Sequence, residues 1–244
     1  MTATRPPRFY CPALPHPRLS ESRAMLDEEQ TRHLRKVLRG KVGDPVELFN
    51  GEGLVGQATV LGFDTGFTWC QVTQVQEHPE PSPRLTVAAA LPKGPLADTM
   101  VGMLSQAGAD LLVPLRTARS VVDPREAKVE RLAKLATESA KQCGRAWRMR
   151  VAAPVELGKV LRQTCDLGLV MDPAGEAIDD LPGTVRSAGQ VLLIVGPEGG
   201  LTEPELREAE NAGFARWSVG PHVLRIETAA CVGAGVLRYL AMRG

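Results

Sequence analysis

The apolar positions of this 244-residue chain follow two rhythms, and each predicts a different architecture. Between about Val46 and Val75 they come in short runs broken by glycines: Val46-Glu47-Leu48-Phe49, Leu54 to Leu61, and Thr68 to Val75. Asn50-Gly51 separates the first two, and Asn-Gly between strand-like runs signals a hairpin. This region predicts a small β-barrel preceded by a helix near Asp27 to Leu38. A connector follows at Glu77-His78-Pro79-Glu80-Pro81-Ser82-Pro83, where three alternate prolines favour an extended, semi-rigid chain. Beyond it, strand-length runs alternate with helical spacing. Leu85 to Leu91, Leu111 to Pro114, Leu167 to Met171, Val191 to Val195 and Ala215 to Val219 read as strands. Ala97 to Ala107, residues 126–143 and residues 228–242 read as helices. The middle one is the clearest, with Val129, Leu132, Ala133, Ala136, Ala140 and Cys143 on one stripe. Strand–helix alternation predicts an α/β fold with a mainly parallel sheet covered on both faces. The expected division is residues 1–76 and residues 84–244.

Within the second part, Leu192-Leu193-Ile194-Val195 empties into Gly196-Pro197-Glu198-Gly199-Gly200. Thr202 and Glu205 then have the spacing of a capping box, which predicts a helix start. About twenty residues on, Trp217-Ser218-Val219 leads into Gly220-Pro221-His222-Val223-Leu224-Arg225, with a second helix beginning near Thr228. Two successive strand–glycine-turn–helix units expose bare backbone at the end of a sheet, where open α/β folds bind ligands. The pattern points to an enzyme with a cofactor on these loops.

Composition narrows the class. Hydrophobic residues make up 43% and charged residues 23%, as in ordinary globular proteins. Aromatics are only 4%, which argues against a broad base-stacking platform. The five cysteines form no C-x-x-C pair, and the four histidines form no ligand-spaced set, so no metal is expected. Met1 to Phe9 lacks the apolar core of a signal peptide and no run approaches membrane-spanning length, so a cytoplasmic protein with no membrane association is expected. The net charge of +1 hides an uneven distribution. Residues 1–41 carry nine Lys/Arg against four acids, and residues 116–150 carry ten against four. Two basic segments suggest a polyanion-binding face, although solvated surface clusters in the same way.

The two glycine loops, with Arg225-Ile226-Glu227-Thr228-Ala229 following the second, are similar to the paired signature of the SPOUT methyltransferases. Within that superfamily the chain resembles the RsmE family, small-subunit ribosomal RNA uridine-N3-methyltransferases, over nearly its whole length. Arg8-Phe9-Tyr10, His33-Leu34-Arg35, Val37-Leu38-Arg39, Gly43-Asp44 and Leu48-Phe49-Asn50-Gly51 resemble its PUA-like RNA-binding domain. Leu91-Pro92-Lys93-Gly94, Arg119-Ser120-Val121 and Gln142-Cys143-Gly144-Arg145 resemble its catalytic-domain motifs. The resemblance implies a C-terminal trefoil knot holding S-adenosylmethionine (SAM) and a homodimer with sites at its interface. It also implies methylation of N3 of a 16S ribosomal RNA uridine, numbered 1498 in the family, in the assembled small subunit. Three positions depart from the pattern: Met103 and Gln106 stand where a Lys and a Glu are usual, and Lys141 where an acid is more common.

By the same resemblance, Met171, Gly196, Gly200, Val219, Gly220, Val223, Leu224 and Thr228 surround the cofactor. Glu198 is either a further contact or a solvent-facing acid. Arg225 is the first candidate to stabilise the anion that forms when uridine loses its N3 proton, as an oxyanion site would. Its alternative role is a salt bridge to Glu227 or a neighbouring acid. Gln142 and Arg145 are further catalytic candidates, and Arg145 shares a polar stripe with Lys134, Glu138 and Lys141 that reads as a grip on RNA or on the other subunit, or as a plain solvated face. Arg8, Arg35, Arg39 and Arg119 are candidate RNA contacts, and the proton acceptor is unassigned. Alternatives are methylation of a ribose 2′-OH or of tRNA, and a non-catalytic RNA-binding factor. A Ser–His–Asp hydrolase lacks its G-x-S-x-G elbow, and a nicotinamide oxidoreductase its G-x-G-x-x-G.

Overall fold

The computed structural model describes residues 5–16, 22–122, 126–179 and 181–242. Its contacts group into two compact units. The first comprises Met1–Glu80 and Ala140–Arg148, and the second Pro81–Ser139 and Met149–Gly244. The return of Ala140–Arg148 to the first unit was not visible in the sequence, which placed these residues in the later domain.

The first unit contains β1 (Arg8–Tyr10), β2 (Arg23–Leu26), α1 (Glu28–Arg32), β3 (Pro45–Phe49), β4 (Leu54–Asp64) and β5 (Phe67–Glu77). The strands form one sheet in the order β1-β3-β4-β5-β2, with β1 and β2 as its edges. Alternate residues Val46 and Leu48, Ala58 and Val60, and Cys70 and Val72 turn inward with Phe9, Leu26 and Leu34 to make one core. That period of two is what the sequence shows in β3 to β5. The predicted helix at Asp27 is capped by the Asp27 carboxylate accepting from Gln30 N–H at 2.8 Å. After Arg32 it widens into a π-type turn over His33–Val37. At the β3–β4 hairpin the Asn50 side chain accepts from Glu52 N–H (2.8 Å) and Leu54 N–H (2.9 Å), while Gly51 and Gly53 adopt φ of +76° and +96°. The turn is therefore longer than the two-residue loop that Asn-Gly suggests.

Lys141 explains one departure from the family pattern. Its ammonium donates to Gln30 Oε1 at 3.0 Å and lies 5.8 Å from the Phe9 ring centre, which ties the returning segment to the first unit's core.

The second unit holds a parallel sheet: β6 (Arg84–Ala89), β7 (Leu111–Arg116), β8 (Arg150–Val151), β10 (Leu167–Glu176), β11 (Gln190–Val195) and β12 (Ala215–Trp217), with β9 (Val155–Glu156) beside β7. The order is β12-β10-β11-β6-β7-β8. Val191, Leu193 and Val195 of β11 enter one hydrophobic cluster, and Leu192 and Ile194 enter another. A strand buried on both faces must be apolar throughout, which is why β11 reads as a continuous run. The first cluster is covered by α2 (Leu96–Ala107), α3 (Glu126–Cys143), α5 (Leu181–Ser187) and α7 (Ile226–Met242). The second is covered by α4 (Leu157–Val160) and α6 (Glu203–Asn211). In α3, Leu132, Ala136 and Ala140 are buried as the stripe predicts, but Cys143 is exposed. No helix among the described residues is long and apolar enough to cross a membrane.

Candidate cofactor site

Neighbouring parallel strands β12 and β11 end, and β10 between them bulges, on the same edge of the sheet, and together with the loops there they line a cavity of about 280 Å³. This is the edge at which open α/β sheets bind small molecules. The bulged middle of β10 contributes Met171, Asp172 and Pro173, the end of β11 the run Val195–Leu201, and the end of β12 Trp217–Gly220 and His222–Leu224. Leu206 of α6 with Ile226 and Ala229 of α7 complete the wall.

The first loop turns tightly: Gly200 N–H donates to Pro197 C=O at 2.8 Å, and Gly200 takes φ of +70°, where glycine avoids Cβ strain. The capping box forms as predicted. Thr202 Oγ1 accepts from Glu205 N–H at 3.4 Å, and Glu205 Oε2 accepts from Thr202 N–H at 2.7 Å. The second loop is pinned by Ser218, whose N–H donates to Glu176 C=O (3.1 Å) and whose hydroxyl donates to Gly220 C=O (2.8 Å). A Cβ on Gly220 would meet nothing within 4 Å, so bare backbone there borders open space.

Of the predicted cofactor residues, Met171, Gly196, Gly200, Val219, Gly220, Val223 and Leu224 all line this cavity. Thr228 does not; it lies in the first turn of α7 between Ile226 and Ala229, which do. Arg225 is likewise outside the wall but flanked by Leu224 and Ile226, and its side chain is exposed. Among the described residues the Arg225 guanidinium has no ion-pair partner, so the salt bridge to Glu227 does not form. Gln142 and Arg145 belong to the first unit.

Asp172 is a wall residue that the sequence reading missed, although it directly follows the predicted strand Leu167–Met171. β10 bulges after Met171, and Asp172 Oδ2 there accepts from Arg216 Nε at 2.8 Å while Oδ1 accepts from Ala174 N–H at 2.9 Å. The bond to Asp172 holds the Arg216 guanidinium above its ordinary pKa. Trp217, Ser218 and His222 also line the wall, and nothing in their local sequence pattern marks them as ligand contacts.

The candidate RNA contacts separate into two groups. Arg35 and Arg39 are exposed, Arg35 lying 5.1 Å from the Phe63 ring centre. Arg8 is turned inward: its side chain is 5% exposed, pairs with Glu47 (3.2 Å), donates to Arg145 C=O (2.7 Å) and stacks on Phe49. These contacts make it an internal tie rather than a phosphate grip. Arg119 donates to Gly199 C=O at 2.6 Å, on the first glycine loop itself.

The sequence pattern of an RNA methyltransferase domain matches residues 78–238, and that of an RNA methyltransferase PUA domain matches residues 26–65. The chain thus falls in the class of RNA methyltransferases. It is 30% identical over 225 residues to ribosomal RNA small subunit methyltransferase E of Synechocystis, across 90% of this chain and 74% of that one. A Legionella pneumophila structure solved with bound SAM is similar at 29% identity and a TM-score of 0.86, covering 97% of this chain and 98% of that one. The Neisseria gonorrhoeae small subunit methyltransferase E shares the fold, with a TM-score of 0.87 at 24% identity and coverage of 97% and 98%. The chain belongs to the ribosomal RNA small subunit methyltransferase E family.

Proposed function

We propose that the protein methylates N3 of a uridine in 16S ribosomal RNA within the assembled small subunit, using SAM. The observation that carries this reading is the cavity of bare-backbone loops at the ends of β12 and β11 and the bulge of β10, in a chain of this family. The cavity fits the cofactor chemically. Exposed backbone groups of the two glycine loops suit an adenosine, and Met171, Val219, Val223 and Leu224 offer apolar surface for its base. When bound, SAM supplies a methyl group activated on a sulfonium.

Residues of this chain then have three tasks. The glycine loops orient the donor and exclude water around it, which is most of what an in-line displacement requires. Arg225, exposed beside the second loop, neutralises the anion left when uridine N3 loses its proton. Gln142 and Arg145 orient the base from the returning segment. Residues 1–76 serve as the RNA-gripping domain, with Arg35 and Arg39 on phosphates, and residues 84–244 as the catalytic domain. The working form is a cytoplasmic homodimer with a trefoil knot around the cofactor.

Labelled SAM and undermethylated small subunits, followed by nucleoside mass spectrometry, test the assignment. Label in 3-methyluridine is expected. Label in a ribose 2′-O-methyl nucleoside, or none at all, overturns the proposal.

A further inference from the structure

The turn after β7 touches the first glycine loop from outside the cavity. It is self-supporting: Thr117 N–H donates to Ser120 Oγ at 2.9 Å, and Ser120 N–H to Thr117 C=O at 3.1 Å. Two groups cross from it, one to the loop and one to the start of α6. Arg119 Nη1 donates to Gly199 C=O at 2.6 Å, and Ala118 N–H donates to Glu205 Oε1 at 2.8 Å. The other carboxylate oxygen of Glu205 accepts from both the N–H (2.7 Å) and the hydroxyl (2.8 Å) of Thr202. One carboxylate therefore joins the turn to the helix start that closes the glycine loop. Neither Arg119 nor Glu205 lines the cavity.

A loop with glycines at 196, 199 and 200 has many accessible conformations, and a ligand that binds its backbone must freeze them. Holding the loop from outside removes part of that cost before the ligand arrives. Charge-assisted bonds from a guanidinium and to a carboxylate are the strong kind for this purpose. We propose that the Thr117–Ser120 turn is a brace that preorganises the first glycine loop, with Arg119 and Glu205 as positioning residues for cofactor binding. The inference rests on the reading that this cavity takes SAM. It also moves Arg119 from RNA contact to cofactor affinity.

Calorimetry with SAM on the full-length protein tests it, with Arg119→Ala, Arg119→Lys and Glu205→Gln. Loss of one charged hydrogen bond should weaken SAM binding by about tenfold in Arg119→Ala. The melting temperature should stay within about a degree of wild type, since the side chain is exposed. Lys, which can donate to the same carbonyl, should restore a good part of the loss. Glu205→Gln keeps the shape of the helix cap and should weaken SAM severalfold. The KM for the small subunit should not change in Arg119→Ala. Unaltered SAM affinity with a raised KM for the subunit would assign the guanidinium to RNA and overturn the brace. If wild type itself binds no SAM, the cavity assignment falls and the brace with it; wild-type binding with no loss in Arg119→Ala sinks the brace alone.

Discussion

Gly233 of α7 packs against Met171, a wall residue of the cofactor cavity: a Cβ at position 233 would stand 2.8 Å from the Met171 sulfur and 2.7 Å from Leu193 Cδ2. Leu193 is buried in the sheet, whereas Met171 is half-buried and borders open space, so Met171 is the one that must yield. Gly233→Ala gains about 1 kcal/mol of helix propensity and loses about 1–3 kcal/mol to overpacking. Thermal melts should therefore show a net loss of up to about 2 kcal/mol, a fall of several degrees at most. SAM affinity should fall about fivefold or more as the thioether is driven into the cavity. Calorimetry reads this directly, and wild-type affinity would show that the helix, not Met171, had moved.

Glu205 gives the fold a dependence on acid. Burial pushes its carboxyl up, but hydrogen bonds from Ala118 and Thr202, together with the Arg119 charge, outweigh burial and hold it below its usual 4.5. A carboxyl with a lowered folded pKa stabilises the fold above its unfolded pKa, and that stabilisation drains as pH falls through the folded value. Melting temperature should drop from about pH 4.5 downward in wild type, and less steeply in Glu205→Gln. Parallel curves would show that Glu205 is not a source of the acid sensitivity.

What the sequence disclosed depended on whether a local pattern carried the information. The helix read over 126–143 is Glu126–Cys143, and the Thr202–Glu205 capping box forms, because helical spacing and capping are properties of adjacent residues. Strands β1, β2, β8 and β9 passed unseen, since two to four residues hold too little alternation to register. The cavity was legible as two glycine loops, whereas Asp172 and Trp217 on its wall appear only once β10 and β12 are known to be neighbours. The charges at Arg8 and Arg119 looked alike in sequence. Contacts 137 and 80 residues away in the chain turned them to internal bonds instead.

Arg39 is the only non-glycine residue with positive φ among the described residues, at +56°. A side chain there costs about 1–2 kcal/mol that glycine avoids, partly offset by the extra freedom of glycine in the unfolded chain. Its exposed guanidinium is a proposed phosphate contact. Arg39→Gly should then raise stability by about 0.5–1 kcal/mol while lowering RNA affinity and flattening its salt slope by about one. Denaturant melts and filter binding at several salt concentrations check the two halves. Unaltered RNA binding would remove Arg39 from the RNA face.

The thiols of the first unit should differ sharply in reactivity. Burial pushes the Cys70 thiol up to about 12 and raises Cys11 as well, so both stay protonated at pH 8, where only thiolate alkylates. Cys143 is exposed. Iodoacetamide on the folded protein should label Cys143 and spare Cys11 and Cys70, which should react once the chain is unfolded. Rapid labelling of Cys70 in native conditions would mean that the first unit's core opens.

Arg225 separates binding from chemistry. It sits between two wall residues without being one, so its removal should leave the cavity intact and SAM affinity within about twofold of wild type. Its proposed work begins only when uridine N3 loses its proton and negative charge spreads to O2 and O4. An interaction made mainly in the transition state lowers kcat when removed, and loss of one such donor typically costs about a hundred- to a thousandfold. Arg225→Ala should therefore lose that much turnover with SAM binding preserved. Arg225→Lys keeps the charge but loses the planar fork, and should fall between the two. A kcat of wild-type size in Arg225→Ala would leave the anion without this partner and return the guanidinium to plain surface.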